Sequence, residues 1–156
     1  MRVSKIVVVA LAMTAAISFS LVARAGTGDK VTGGGQTDVG TQGAGDTIAF
    51  TAQTTNGVTA GQIQYIDRTG GTGQGQVVYH GTINCLTVSG STADFSGVWD
   101  NDAGSFEVVV QDNGNGNGQD MIAIDPAASN PSCSDSTKPS NNGALARGNA
   151  QVTPGS

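Results

Sequence analysis

The 156-residue chain sets 7 basic residues (Lys+Arg) against 12 acidic ones, a formal net charge of −5, and contains 24 glycines. An acidic balance excludes nucleic acid or an anionic membrane surface as the main partner, since both require a basic face. Proline is scarce and no G-x-y period is kept, which excludes collagen, and short apolar runs between the glycines exclude general disorder.

Residues 1–25 read as an export signal. Arg2 and Lys5 form a positive n-region, 6–22 is apolar apart from a few Ser and Thr, and Ala23-Arg24-Ala25 offers small residues where a signal peptidase reads them. A run of this length also approaches a bilayer span. The small-x-small ending and the abrupt change to Gly-rich polar sequence favour cleavage before Gly26. The expected product is secreted, or periplasmic in a Gram-negative source, with no membrane attachment after cleavage. It has 131 residues, and its net charge is −8, because Arg2, Lys5 and Arg24 leave while every acidic residue stays. That makes one domain, 26–156, long enough to bury roughly two-thirds of its unfolded surface.

From there the chain alternates. Segment 47–53 sets Ile48, Phe50 and Ala52 against Thr47, Thr51 and Gln53, and 61–67 sets Ile63 and Tyr65 against Gln62 and Gln64. Period two is the half-buried strand signal. It recurs at 76–80, 83–89, 93–99, 105–111, 121–125 and 144–152, with turn residues at 55–57, 69–71 and 89–91. No stretch after residue 25 keeps apolar residues at helical spacing over three turns. The expected fold is all-β, an antiparallel sandwich or barrel of about eight short strands. Segment 126–142, rich in Ser, Asn and Pro, is expected to be a poorly ordered loop.

Cys85 and Cys133 are the two cysteines. In an exported chain an even count reads as a disulfide, and two cysteines allow one intramolecular pairing. A zinc site needs more ligands than these and the single His80 provide, and no C-x-x-C redox pair is present. A bridge closing about 49 residues stabilises by roughly 4 kcal/mol in the chain-entropy model.

The sharpest local motif is Asp112-Asn-Gly-Asn-Gly-Asn-Gly-Gln-Asp120. Oxygen donors at alternating positions with glycines between them suit a hard cation, which makes Asp112, Asn113, Asn115, Asn117 and Asp120 a candidate Ca²⁺ set. The EF-hand pattern fails, because Ile124 stands where its closing Glu belongs. One RTX-like nonapeptide is present, and such sites need stacked repeats. The alternative is a plain hairpin loop joining 105–111 to 121–125, with Asp112 and Asp120 facing each other across its neck and backbone amides between them. No other cofactor is expected.

His80 has no nucleophile singled out beside it and reads as a surface or strand-edge histidine. Glu107, the only glutamate, is expected to face outward between Phe106 and Val108. Tyr65 and Trp99 are candidates for stacking on a sugar ring, although the core can use all six aromatics of the mature chain.

Several landmarks fall in a familiar order: Lys-Val-Thr-Gly-Gly-Gly at 30–35, Gly-x-hydrophobic-x-Tyr-x-Asp at 61–67, Val-Ser-Gly with Ala-x-Phe-x-Gly across 88–97, Asp-Asn-Gly leading to an apolar strand across 112–124, and Gly-Asn-x-Gln-Val at 148–152. In these the chain resembles the post-COAP domain of secreted bacterial proteins, many of them actinobacterial. Gln36 stands where the family usually has an aromatic, and 126–142 is longer than the family needs. The resemblance implies a small β-rich exported domain with no catalytic residues to carry over. The functional expectation is therefore a non-catalytic binding, adhesion or cell-envelope module with an unknown extracellular ligand. The alternatives are a Ca²⁺-dependent carbohydrate or protein binder, or a small secreted hydrolase without a recognisable site.

Overall fold

The computed structural model describes residues 28–37, 45–68, 75–129, 131–133 and 142–156. The expected signal segment 1–25 and the turn at 69–71 lie outside them. Eight strands follow in order: β1 (Lys30–Thr37), β2 (Thr47–Thr55), β3 (Val58–Asp67), β4 (Val77–Ser89), β5 (Thr92–Trp99), β6 (Ser105–Gln111), β7 (Met121–Asp125) and β8 (Asn142–Thr153). Each pairs with the next and β8 returns to β1, so the sheet closes into an up-and-down antiparallel barrel. Among the described residues the only helical element is one 3-10 turn, Asp100–Asp102.

Alternation along each strand sends one set of side chains inward. At eight strands a barrel interior is just wide enough for side chains to fill it, and here it is filled. Ile48, Phe50, Ile63, Ile83, Phe95, Phe106, Val108, Ile122 and Leu145 all lie within one buried cluster. Phe50 packs on Phe95 with ring centroids 5.1 Å apart, and Trp99 on Phe106 at 4.4 Å. Truncating a phenylalanine so placed costs about 3–5 kcal/mol.

The strand count matches expectation, but two strands are assigned differently. Segments 76–80 and 83–89 form one strand, β4, interrupted by a bulge between Ile83 and Cys85. The extra residue, Asn84, shifts the phase of the alternation. Ile83 and Leu86, three apart, therefore both enter the core, while Cys85 turns outward opposite Ser96. In sequence that phase slip looks like a strand boundary. The strand not anticipated is β1, whose Gly-Gly-Gly centre shows no apolar alternation.

Its glycines are required by the closing seam. Gly35 lies opposite Gly148, and a Cβ on Gly35 would overlap the Arg147 carbonyl oxygen, while one on Gly148 would overlap that of Gly34. The β2–β3 turn is Asn56–Gly57, both at positive φ (52° and 77°). This is the two-residue hairpin loop that Asn-Gly prefers.

The chain after β7 crosses the outside of the barrel. The Trp99 indole donates to the Pro126 carbonyl (2.8 Å), Ala128 is buried, and Cys133 is bonded to Cys85 on β4 with Cα atoms 5.8 Å apart. On the same side of the barrel as this strap, outward side chains that a bare strand would expose are buried: Asp94 and Ser96 on β5, Val109 on β6 and Ala123 on β7. Within the described part of 126–142, Ala128 and Cys133 are buried while Ala127, Ser129 and Pro131 are exposed. Asn142 already belongs to β8, and residues 130 and 134–141 lie outside the described set.

Candidate functional site

The Asp112–Asp120 loop closes the β6–β7 hairpin, with Gln111 opposite Met121. Its oxygens are directed at the backbone of β8. That strand pairs with β7 only through Asn142, Gly143 and Ala144. Beyond Ala144 the amides of Gly148, Ala150 and Val152, on alternate residues, point away from β1 and need other acceptors. Asn117 Oδ1 takes the first (3.1 Å), Asp120 Oδ2 the second (2.6 Å) and Asp112 Oδ2 the third (3.1 Å). Asp120 Oδ1 also accepts the Asn113 amide (2.9 Å), and Asp112 Oδ1 that of Gly114 (3.0 Å). Asn113 Nδ2 donates to the Gln119 carbonyl, and Asn115 is exposed. Three side chains thus stand in for the missing length of β7. The residues proposed for a cation do come together, with backbone N–H groups as their partners. Among the described residues no group of three or more Asp, Glu, His or Cys side chains is placed to hold a metal.

The same use of carboxylates recurs at both rims. Asp29 accepts the amides of Val88 (3.3 Å) and Gly155 (2.9 Å), joining the chain before β1 to β4 and to the C-terminal tail. At the opposite rim buried Asp46 accepts the Tyr65 hydroxyl (2.6 Å) and the Arg68 amide (2.9 Å). Burial, and then the Asp46 carboxylate that takes its hydrogen, hold the Tyr65 phenol protonated well above its ordinary range.

Tyr65 and Trp99, considered for stacking on an external ring, lie inside the barrel. They stack on each other with centroids 6.4 Å apart, and each contacts Tyr79. Their exposures of 6% and 3% leave no face for a ligand.

Glu107 lies on the outer side of β6, half-buried, opposite Ser96 and Asp125. His80 is exposed on β4 opposite Gln64. It borders a depression of about 420 Å³ on the outside of β2–β4, together with Thr51, Gln62, Gln64, Thr82 and Asp100. The period-two pattern marked Gln62 and Gln64 as outward residues. It did not show that the register would align them with Thr51, His80 and Thr82.

No family model, curated protein or solved structure matches this chain. Fold and surface together define a β-barrel packed inside with apolar side chains, with Cys133 fastened to β4 and, among the described residues, an open depression on the outside of β2–β4.

Proposed function

We propose that this protein is an exported, non-catalytic binding module of the cell exterior, akin to the post-COAP domains it resembles. The observation that carries the reading is the filled interior. With the described inward side chains packed together in one buried cluster, the outer surface is the part offered for recognition. Export is supported by the n-region, apolar run and Ala-x-Ala ending of 1–25 and by the Cys85–Cys133 bond, which belongs to an oxidising compartment. Side chains are apolar inside and polar outside, the reverse of a barrel that faces lipid. The non-catalytic reading is supported by the rim carboxylates of Asp29, Asp46, Asp112 and Asp120, which are occupied by backbone amides or the Tyr65 hydroxyl.

A hydrolase reading has one observation in its favour. Glu107 and Asp125 are direct cross-strand neighbours, and paired-carboxylate chemistry needs two such side chains near one another. They lie toward the strapped side of the barrel, away from the depression bordered by His80. Intact-mass analysis of protein recovered from culture medium tests the export reading. The expected product begins at Gly26 and lacks the two thiol hydrogens; a full-length, membrane-bound product overturns it.

A further inference from the structure

We infer that the outside of β2–β4 is a binding groove for a neutral, hydroxyl-rich chain, of the chemical class of an uncharged oligosaccharide. The inference rests on the binding-module reading and specifies its ligand. The depression of about 420 Å³ adjoins a second of about 800 Å³, and the two share Thr51, Gln62 and Thr82. Together they follow β3 from Gln64 to Thr59, roughly 15 Å of strand, so they suit a chain better than a compact molecule. The register aligns the shared residues, with Thr51 opposite Gln62 and Gln62 opposite Thr82. Ala49 and Ala60, on the outer face, keep the floor low.

The chemistry of the groove selects the class. Carboxamides and hydroxyls each donate and accept, as sugar hydroxyls do. Among the described residues, the side chains of Thr51, Gln62, Gln64, His80 and Thr82 make no hydrogen bond to the protein. This contrasts with the rim carboxylates and leaves their capacity available to a ligand. Among the described residues that line the groove, the basic side chains are Lys30, at one end, and His80, and the acidic one is Asp100, too little positive charge for a polyanion. Of the exposed large hydrophobics only Val58 borders it, which gives an apolar peptide no row of pockets. The closed barrel offers no free edge for strand addition. Among the described residues the aromatic that lines the groove is Phe50, whose ring packs inward on Phe95, so recognition rests on hydrogen bonds, with dissociation constants of roughly millimolar order.

The test is a ¹H–¹⁵N titration of the oxidised mature protein with gluco-, xylo-, manno- and chito-oligosaccharides, a heparin fragment and a mixed-sequence peptide. At least one neutral oligosaccharide is expected to shift Thr51, Gln62, Gln64, His80 and Thr82. The Gln62→Ala/Gln64→Ala variant, whose own spectrum reports its fold, is expected to lose roughly tenfold or more in affinity. Silence toward every neutral oligosaccharide, or shifts confined to the rims or the strap, overturns the groove. A response to heparin or peptide alone also overturns it while leaving a binding module. New reducing ends in the titrated sample would instead overturn the non-catalytic reading.

Discussion

Asp120 Oδ2 accepts the Ala150 amide at 2.6 Å, joining residues 30 apart in sequence across the last seam of the barrel. Asp120 is 1% exposed, so its charge is carried in the interior by two backbone N–H groups. A buried carboxylate is tolerable only with such donors.

Replacing Asp120 by Ala removes both acceptors and leaves the Asn113 and Ala150 amides without them. The expected loss is about 3 kcal/mol, with a smaller loss of about 1 kcal/mol for the half-exposed Asp112→Ala. Thermal unfolding checks both. Because the loop oxygens already hold amides, the wild-type melting temperature is expected to be the same in EDTA and in millimolar Ca²⁺; a Ca²⁺-dependent rise would restore the cation reading.

The disulfide fastens a strap over a barrel whose strands are already joined around the whole circle. Reduction is therefore expected to free the strap before it unfolds the sheet. Proteolysis of the reduced protein should nick first between 126 and 141, while its far-UV spectrum stays that of a β-protein. Global stability should fall by up to about 4 kcal/mol, the loop-closure value for residues 48 apart in sequence. Simultaneous loss of barrel and strap would contradict this order.

Deleting Asn84 tests the bulge. Without the extra residue, Ile83, Cys85 and Leu86 follow one another in plain alternation, so Cys85 still faces outward opposite Ser96 while Leu86 stays in the core. The variant is expected to keep the disulfide, with no thiol reactive to an alkylating reagent without denaturant. Reactive thiols in this variant would mean that Asn84 is not the residue that the bulge accommodates.

Tyr65 gives the alkaline limb of stability. Its hydroxyl stays protonated in the folded chain at pH values where an unfolded tyrosine, with a pKa near 10, has ionised. Above about pH 10 the unfolded state therefore binds fewer protons than the native one, and stability falls as pH rises. Tyr65→Phe is expected to flatten that fall. At neutral pH the variant should lose about 1–3 kcal/mol, because Asp46 keeps the Arg68 amide but loses the hydroxyl. Urea midpoints measured from neutral to alkaline pH separate the two effects.

Much of the barrel was legible in the chain. Strands β6 and β7 begin and end where alternation starts and stops, because inward residues such as Phe106, Val108, Ile122 and Ile124 recur at every second position. Asn56–Gly57 specified its hairpin, since few other residue pairs accept positive φ twice in succession. Two cysteines left a single pairing. These are local properties, and a local pattern expresses them.

Closure, phase and partnership depend on contacts between distant segments. β1 is a strand because β2 and β8 flank it, and its glycines answer to the close approach of Gly148, which the Gly triplet alone does not reveal. Whether Asp112 and Asp120 would meet a cation or an amide depended on where β8 runs, 30 to 40 residues further along. Tyr65 and Trp99 carried the same alternation whether they faced a core or a ligand. Barrel closure put them inside, because the register brings Tyr65, Tyr79, Trp99 and Phe106 onto the inner face, where they pack on one another.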